Sequence, residues 1–170
     1  MKPFVSDWKQ FKTDCKILAD EILKNPIKDL PKPKSILSLN TGGAEVAKEL
    51  KKLIPSIKKE YYLEANPEKI ILPLKSPDKI KGPAILVAAI QDTGKTIRKA
   101  LEYLEITFEK YDLDITIAVL YDKLRKDFVT YVLPTYCGVG FAMGETVWVN
   151  FPWETFDITN EEQDEQQKEI

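Results

Sequence analysis

The chain has 170 residues, of which 25 are Lys or Arg and 27 are Asp or Glu, giving a net charge of −2. That balance provides no broad positive field for nucleic acid or an anionic membrane surface, no apolar run approaches the roughly 20 residues of a membrane span, and the length suits one domain with its own core. Histidine is absent, which excludes Ser–His and Cys–His catalysis and the commonest transition-metal ligand, so proton chemistry falls to Asp, Glu, Lys, Tyr or Cys and any metal would be Mg²⁺ on oxygen ligands.

The first residues, Met1-Lys2-Pro3-Phe4, have no signal-peptide apolar core, and Cys15 and Cys137 form no CxxC pair. A cytoplasmic protein with two reduced or buried thiols is expected. Ser6 reads as an N-cap for an amphipathic helix carrying Trp8, Phe11, Cys15, Leu18, Ala19 and Ile22, stopped at Asn25-Pro26, with Trp8 and Phe11 as packing residues. Residues 35–40 read as a buried strand turned by Thr41-Gly42-Gly43 into a helix that ends near Pro55. Tyr61-Tyr62-Leu63 and residues 69–72 read as short strands in a proline-broken region. Residues 84–90 are an apolar strand, 92–96 a loop, 97–109 a second amphipathic helix and 114–121 a strand. Residues 128–133, 136–141 and 146–150 are further candidate strands. Strands alternating with helices predict an α/β fold with a mostly parallel sheet. Residues 1–160 are expected to form a single domain. The last ten residues hold five acids and one Lys, which predicts a disordered tail over 161–170.

The run Ala84-Ile-Leu-Val-Ala-Ala-Ile-Gln-Asp-Thr-Gly-Lys-Thr96 passes from an apolar strand into a helix N-terminus. Gly94 permits a tight turn, and amides at the positive end of the helix dipole, with the Thr93 and Thr96 hydroxyls, form a monophosphate cradle. Two other readings compete. A Walker loop needs glycine at position 89, where Ala89 stands. A plain helix capped by Asp92 would bind nothing.

The run resembles the PRPP-binding motif of type I phosphoribosyltransferases, in which a strand ends in two acids, two further residues and then Asp-Thr-Gly-Lys-Thr. The likeness spans roughly residues 34–155. Asn40-Thr41-Gly42-Gly43 resembles the family's pyrophosphate loop, residues 117–123 the strand ending in a lysine in 6-oxopurine enzymes, and Thr146-Val-Trp-Val-Asn-Phe-Pro-Trp153 the base-binding segment of xanthine–guanine enzymes. The resemblance implies a central, mostly parallel sheet flanked by helices, with a small hood built from the chain ends and residues 57–80. It implies that Asp92, Thr93, Gly94, Lys95 and Thr96 hold the 5′-phosphate, with Asp92 also the general acid/base near purine N7. Thr41 and Gly42 would donate to pyrophosphate, Lys123 would contact the oxygen at purine C6, Trp148 would stack on the base and the Val149 backbone would read its edge. The implied reaction is transfer of the 5-phosphoribosyl group of PRPP to a 6-oxopurine (guanine, hypoxanthine or xanthine), with Mg²⁺ as cofactor and a homodimer as the assembly.

The sequence departs from that pattern where the ribose should be held. The acid pair is replaced by Ala88 and Ala89, the basic residue often found before Gly-Gly by Thr41, and the Asp expected after Pro134 by Thr135. Two methyl groups can neither bind ribose hydroxyls nor organise Mg²⁺. Two readings stay open: a transferase with rearranged ribose contacts, and a degenerate relative that binds a purine nucleotide or base. Blander readings stand beside each residue: Thr41-Gly42-Gly43 as a turn, Lys123 as a solvated lysine, Trp148 and Trp153 as core.

Overall fold

The structure is a computed structural model that describes residues 2–24, 31–109, 114–141 and 147–154. Strand β2 (Ser35–Leu39) and strand β5 (Ala84–Gln91) lie at the centre of a six-stranded sheet. Both are buried along nearly their whole length, which is why they read as unbroken apolar runs and not as alternation. Outside β2 lie β3 (Lys59–Ala65) and then the edge strand β4 (Ile70–Leu72). Outside β5 lie β6 (Ile115–Asp122) and β7 (Tyr136–Gly140). All pairings are parallel except β3 with β4.

Helices α1 (Trp8–Lys24) and α2 (Asn40–Leu53) bury Phe11, Leu18, Val46 and Leu50 against Ile85, Val87 and Ala89 on one face. Helix α3 (Lys95–Phe108) buries Ile97, Ala100 and Leu104 against Leu86 and Ala88 on the other. The period-2 geometry of β5 thus sends Ala88 and Ala89 to opposite faces at its C-terminal end. A separate parallel pair, β1 (Lys2–Val5) with β8 (Val147–Asn150), forms the hood from the two ends of the described chain. Residues 57–80 depart from the expected hood, since β3 and β4 extend the main sheet.

Several local expectations need correction. Asp7, not Ser6, caps α1: its Oδ1 accepts the Gln10 amide at 2.7 Å. Ser6 is buried and donates to the Tyr121 hydroxyl (3.0 Å), which itself donates to Asp14 Oδ2 (2.7 Å), so the residue following β1 is pinned to the core. Thr41-Gly42-Gly43 is not a turn but the first turn of α2. The chain reverses at Asn40 alone, with φ 60°, a left-handed value that Asn tolerates and that its amide secures by bonding both backbone groups of Ala65. Residues 128–133 are not a strand. Trp8 is partly exposed, edge-on to Phe11. The tail 161–170 lies outside the described residues.

Both cysteines are poor nucleophiles. Burial, reinforced by the charges of Glu49 and Asp14, pushes the Cys15 thiol up to about 12. Burial and Asp122 push Cys137 up to about 11.

Candidate functional site

Helices α2 and α3 leave the adjacent strands β2 and β5 toward opposite faces, so the sheet's switch point falls between the C-terminal ends of those strands. Open α/β sheets bind ligands at that place. A cleft of about 380 Å³ lies there, bounded by Asn40, Thr41, Gly42, Ala88, Ala89 and Thr96, with Trp153 and Glu154 closing it from the hood side. The expected pyrophosphate-loop residues and Thr96 therefore share one cavity with the two alanines.

Ala88 and Ala89 are 5% and 6% exposed and offer the cleft only methyl groups. A Cβ on Gly42 would lie 2.8 Å from the Ala89 Cβ and 3.6 Å from the Trp153 ring, so α2 packs directly onto the end of β5. Ala89 thus has α2 on one side and the cleft on the other.

The loop after β5 turns at Gly94, φ 81°, and α3 begins at Lys95. No side chain caps α3, and among the described residues none accepts a hydrogen bond from the Thr93, Gly94, Lys95 or Thr96 amides. Four amide donors are thus left without a partner at the positive end of the helix. The plain-cap reading of Asp92 fails, because its carboxylate turns away from the helix. Asp92 Oδ2 lies 3.1 Å from Lys123 Nζ and Oδ1 lies 3.3 Å from Arg125 Nη1. Lys123 follows β6 directly, its amide donating to the Gln91 carbonyl (3.0 Å), so the ends of β5 and β6 place the pair. The Lys123 side chain is only 13% exposed, which separates it from an ordinary surface lysine. Arg125 also lies over the Phe128 ring, 4.5 Å from its centre.

Trp148 and Val149 sit on β8, opposite Pro3 and Phe4 of β1. Val147 and Val149 point inward, which turns Trp148 outward, 57% exposed and outside the residues bounding the cleft. The tryptophan in the cleft is Trp153, stacked on Phe151 at 4.5 Å and edge-on to Phe11 at 5.3 Å. Of the other cleft residues, Glu154 was not singled out in the sequence, and Asn40 and Trp153 lay inside the pyrophosphate-loop and base-binding segments without roles of their own. The only available signals were a left-handed-tolerant Asn before Thr-Gly-Gly and a second Trp after a proline. Thr146 lies outside the described residues.

No protein-family model and no curated protein sequence matches the chain. Solved structures do. A purine phosphoribosyltransferase from Pyrococcus horikoshii Ot3 superposes with TM-score 0.65 at 24% identity, covering 91% of this chain and 95% of that one. The Helicobacter pylori xanthine-guanine-hypoxanthine phosphoribosyltransferase gives TM-score 0.69 at 18% identity, covering 95% and 99%. A hypothetical protein from Neisseria gonorrhoeae with bound ppGpp gives TM-score 0.66 at 19% identity, covering 95% and 94%. Identity at this level carries the architecture and not the chemistry, and on that architecture the chain has the type I phosphoribosyltransferase fold, resembling the purine enzymes.

Proposed function

We propose that the chain binds a purine nucleoside 5′-monophosphate, or a close relative bearing further phosphates, in the β2/β5 cleft, as a binding module that does not turn over PRPP. The 5′-phosphate sits on the amides of Thr93, Gly94, Lys95 and Thr96. The base lies toward Asp92 and Lys123, with Lys123 donating to an oxygen at C6 and aromatic cover from the hood, from Trp148 or Trp153. Thr41 and Gly42 face whatever lies on the ribose side.

The observation that carries the reading is the pair of methyl groups, Ala88 and Ala89, that the end of β5 presents to the cleft. Transfer from PRPP passes through an oxocarbenium-like state whose stabilisation depends on a precisely held ribose and on neutralised pyrophosphate charge. Here the positions the resemblance assigns to the ribose acids offer only the methyl groups of Ala88 and Ala89. Ala88 and Ala89 supply no oxygen ligand, so an Mg²⁺ ion in this cleft would be held through substrate oxygens, with Glu154 the carboxylate among the residues lining it. The Neisseria protein, whose structure holds ppGpp, supports a nucleotide with phosphates on more than one side as a ligand class. A homodimer and a cytoplasmic location belong to the same reading.

Phosphoribosyl transfer to a 6-oxopurine is the second reading. The Asp92–Lys123 pair favours it, since a carboxylate beside a lysine at the base end is what proton transfer at N7 and recognition of O6 require. One experiment separates the two. Calorimetry with IMP, GMP and XMP measures binding, and incubation with PRPP, Mg²⁺ and guanine, hypoxanthine or xanthine measures product. Binding without mononucleotide formation is expected; product formation with any base establishes transfer instead.

A further inference from the structure

Gln91 is the last residue of β5 and is 1% exposed, in a place where an apolar side chain would be expected. Both of its polar atoms are spent on one distant residue. Its Nε2 donates to the Val132 carbonyl (2.8 Å) and its Oε1 accepts the Val132 amide (3.2 Å). The same segment is held to the phosphate loop by two more contacts. Thr130 Oγ1 donates to the Thr93 carbonyl (2.7 Å), and Arg98, on the first turns of α3, reaches the Thr130 and Tyr131 carbonyls at 3.4 and 3.2 Å. Gly94 closes the joint: a Cβ there would meet the Thr130 carbonyl at 2.4 Å and Gln91 Oε1 at 3.0 Å. The backbone of 130–132 therefore serves as a strap under the loop, which also explains why these residues form no strand despite their β-rich composition. The strap's other contacts reach the base end. Tyr131 donates to the buried Asp122 (2.7 Å), and Phe128 lies under Arg125, which pairs with Asp92.

We infer that Gln91 is a positioning residue: through the 130–132 strap it holds the 93–96 amides in the orientation that receives a 5′-phosphate. A leucine would fill the same buried space, so the amide's contribution lies in where it puts the loop. That the loop receives phosphate rests on the nucleotide reading above; the brace itself does not.

The test uses Gln91→Leu in the full chain and reads hydrogen exchange without ligand. The Arg98 amide, bonded to the Gly94 carbonyl of the loop, and the Tyr131 amide, bonded to the Phe128 carbonyl of the strap, should exchange about tenfold faster than in wild type while the rest of β5 and the later turns of α3 keep their protection. Unchanged exchange at these two amides, or acceleration spread evenly over β5 and α3, overturns the inference. Thr130→Val cuts only the bond to Thr93 and guards against a Gln91 variant that fails to fold. It should give the same local pattern more weakly, and no local change in a folded Thr130→Val overturns the strap. A second arm titrates Gln91→Leu with inosine and with IMP. IMP should weaken about tenfold and inosine less than about twofold; equal weakening of both means a merely structural role. If wild type binds neither, the nucleotide reading fails, and the exchange arm still decides the brace.

Discussion

Gly42, in the first turn of α2, and Ala89, at the end of β5, are in such close contact that one added methyl on Gly42 would sit 2.8 Å from the Ala89 Cβ. Two small residues from different elements are matched to each other, and Ala89 occupies one position of the acid pair that the resemblance implies. A longer side chain there would have α2 on one side and the cleft on the other.

Restoring the acids should therefore fail. Ala88→Glu with Ala89→Asp puts two carboxylates into a packed, largely buried junction and is expected to destabilise the protein by about 1–3 kcal/mol without producing transferase activity. Thermal melting and a product assay with PRPP check this. Gain of activity without loss of stability would mean the ribose side is open.

The base end should be separable from the phosphate end. Lys123→Met is expected to weaken IMP about tenfold through loss of a charge-assisted hydrogen bond, with little change for AMP, which presents an amine at C6. Asp92→Ala should also weaken IMP and GMP, because it releases Lys123 and Arg125 from their shared partner. Calorimetry decides, and unchanged affinities in both variants would remove these residues from the site.

Gly94 tests the loop. Its φ of 81° and the Thr130 carbonyl 2.4 Å from a built Cβ leave no place for a side chain. Gly94→Ala should cost on the order of 1–3 kcal/mol of stability and lower affinity for inorganic phosphate as well as for nucleotide. Denaturant melts and phosphate competition measure the two effects.

The hood is tied to the core by Ser6, Tyr121 and Asp14. Tyr121→Phe leaves the buried Asp14 and Ser6 without their shared partner and should cost about 1–3 kcal/mol, read by urea unfolding.

Cys15 gives a pH signature. Its thiol is raised to about 12 by burial, then by Glu49 and Asp14, while in the unfolded chain it titrates near 8.5. The folded state holds the proton that the unfolded state releases. The associated stability is intact below about pH 8.5 and is lost as pH rises toward the folded value, at up to about 1.4 kcal/mol per pH unit. Urea unfolding between pH 8 and 10.5 should fall less steeply for Cys15→Ala than for wild type. Parallel slopes would contradict this burial effect.

Much of the fold was legible because β2 and β5 are buried on both faces and declare themselves as apolar runs bounded by turn residues. The tight turn from β5 into α3 was legible because Gly94 and the following helix carry its geometry locally. What failed was non-local. Residues 59–72 join the main sheet because β3 finds β2, which short-range pattern cannot reveal. Residues 128–133 read as a strand, but Gln91, Thr93 and Arg98 take up their backbone and hydroxyl groups. Trp148 and Trp153 were weighed without the β8 pleat, which turns the first outward while the turn after Pro152 sends the second into the cleft. Gln91 was visible as a polar residue ending an apolar strand, though its partner 41 residues away was not.

The most direct test of the central claim is a paired measurement on the wild-type chain: calorimetric titration with IMP and GMP beside a product assay with PRPP, Mg²⁺ and each 6-oxopurine at high protein concentration. Saturable binding of the 5′-monophosphates with no mononucleotide product is expected. Formation of IMP, GMP or XMP, or absence of any nucleotide binding, would overturn the binding-module reading.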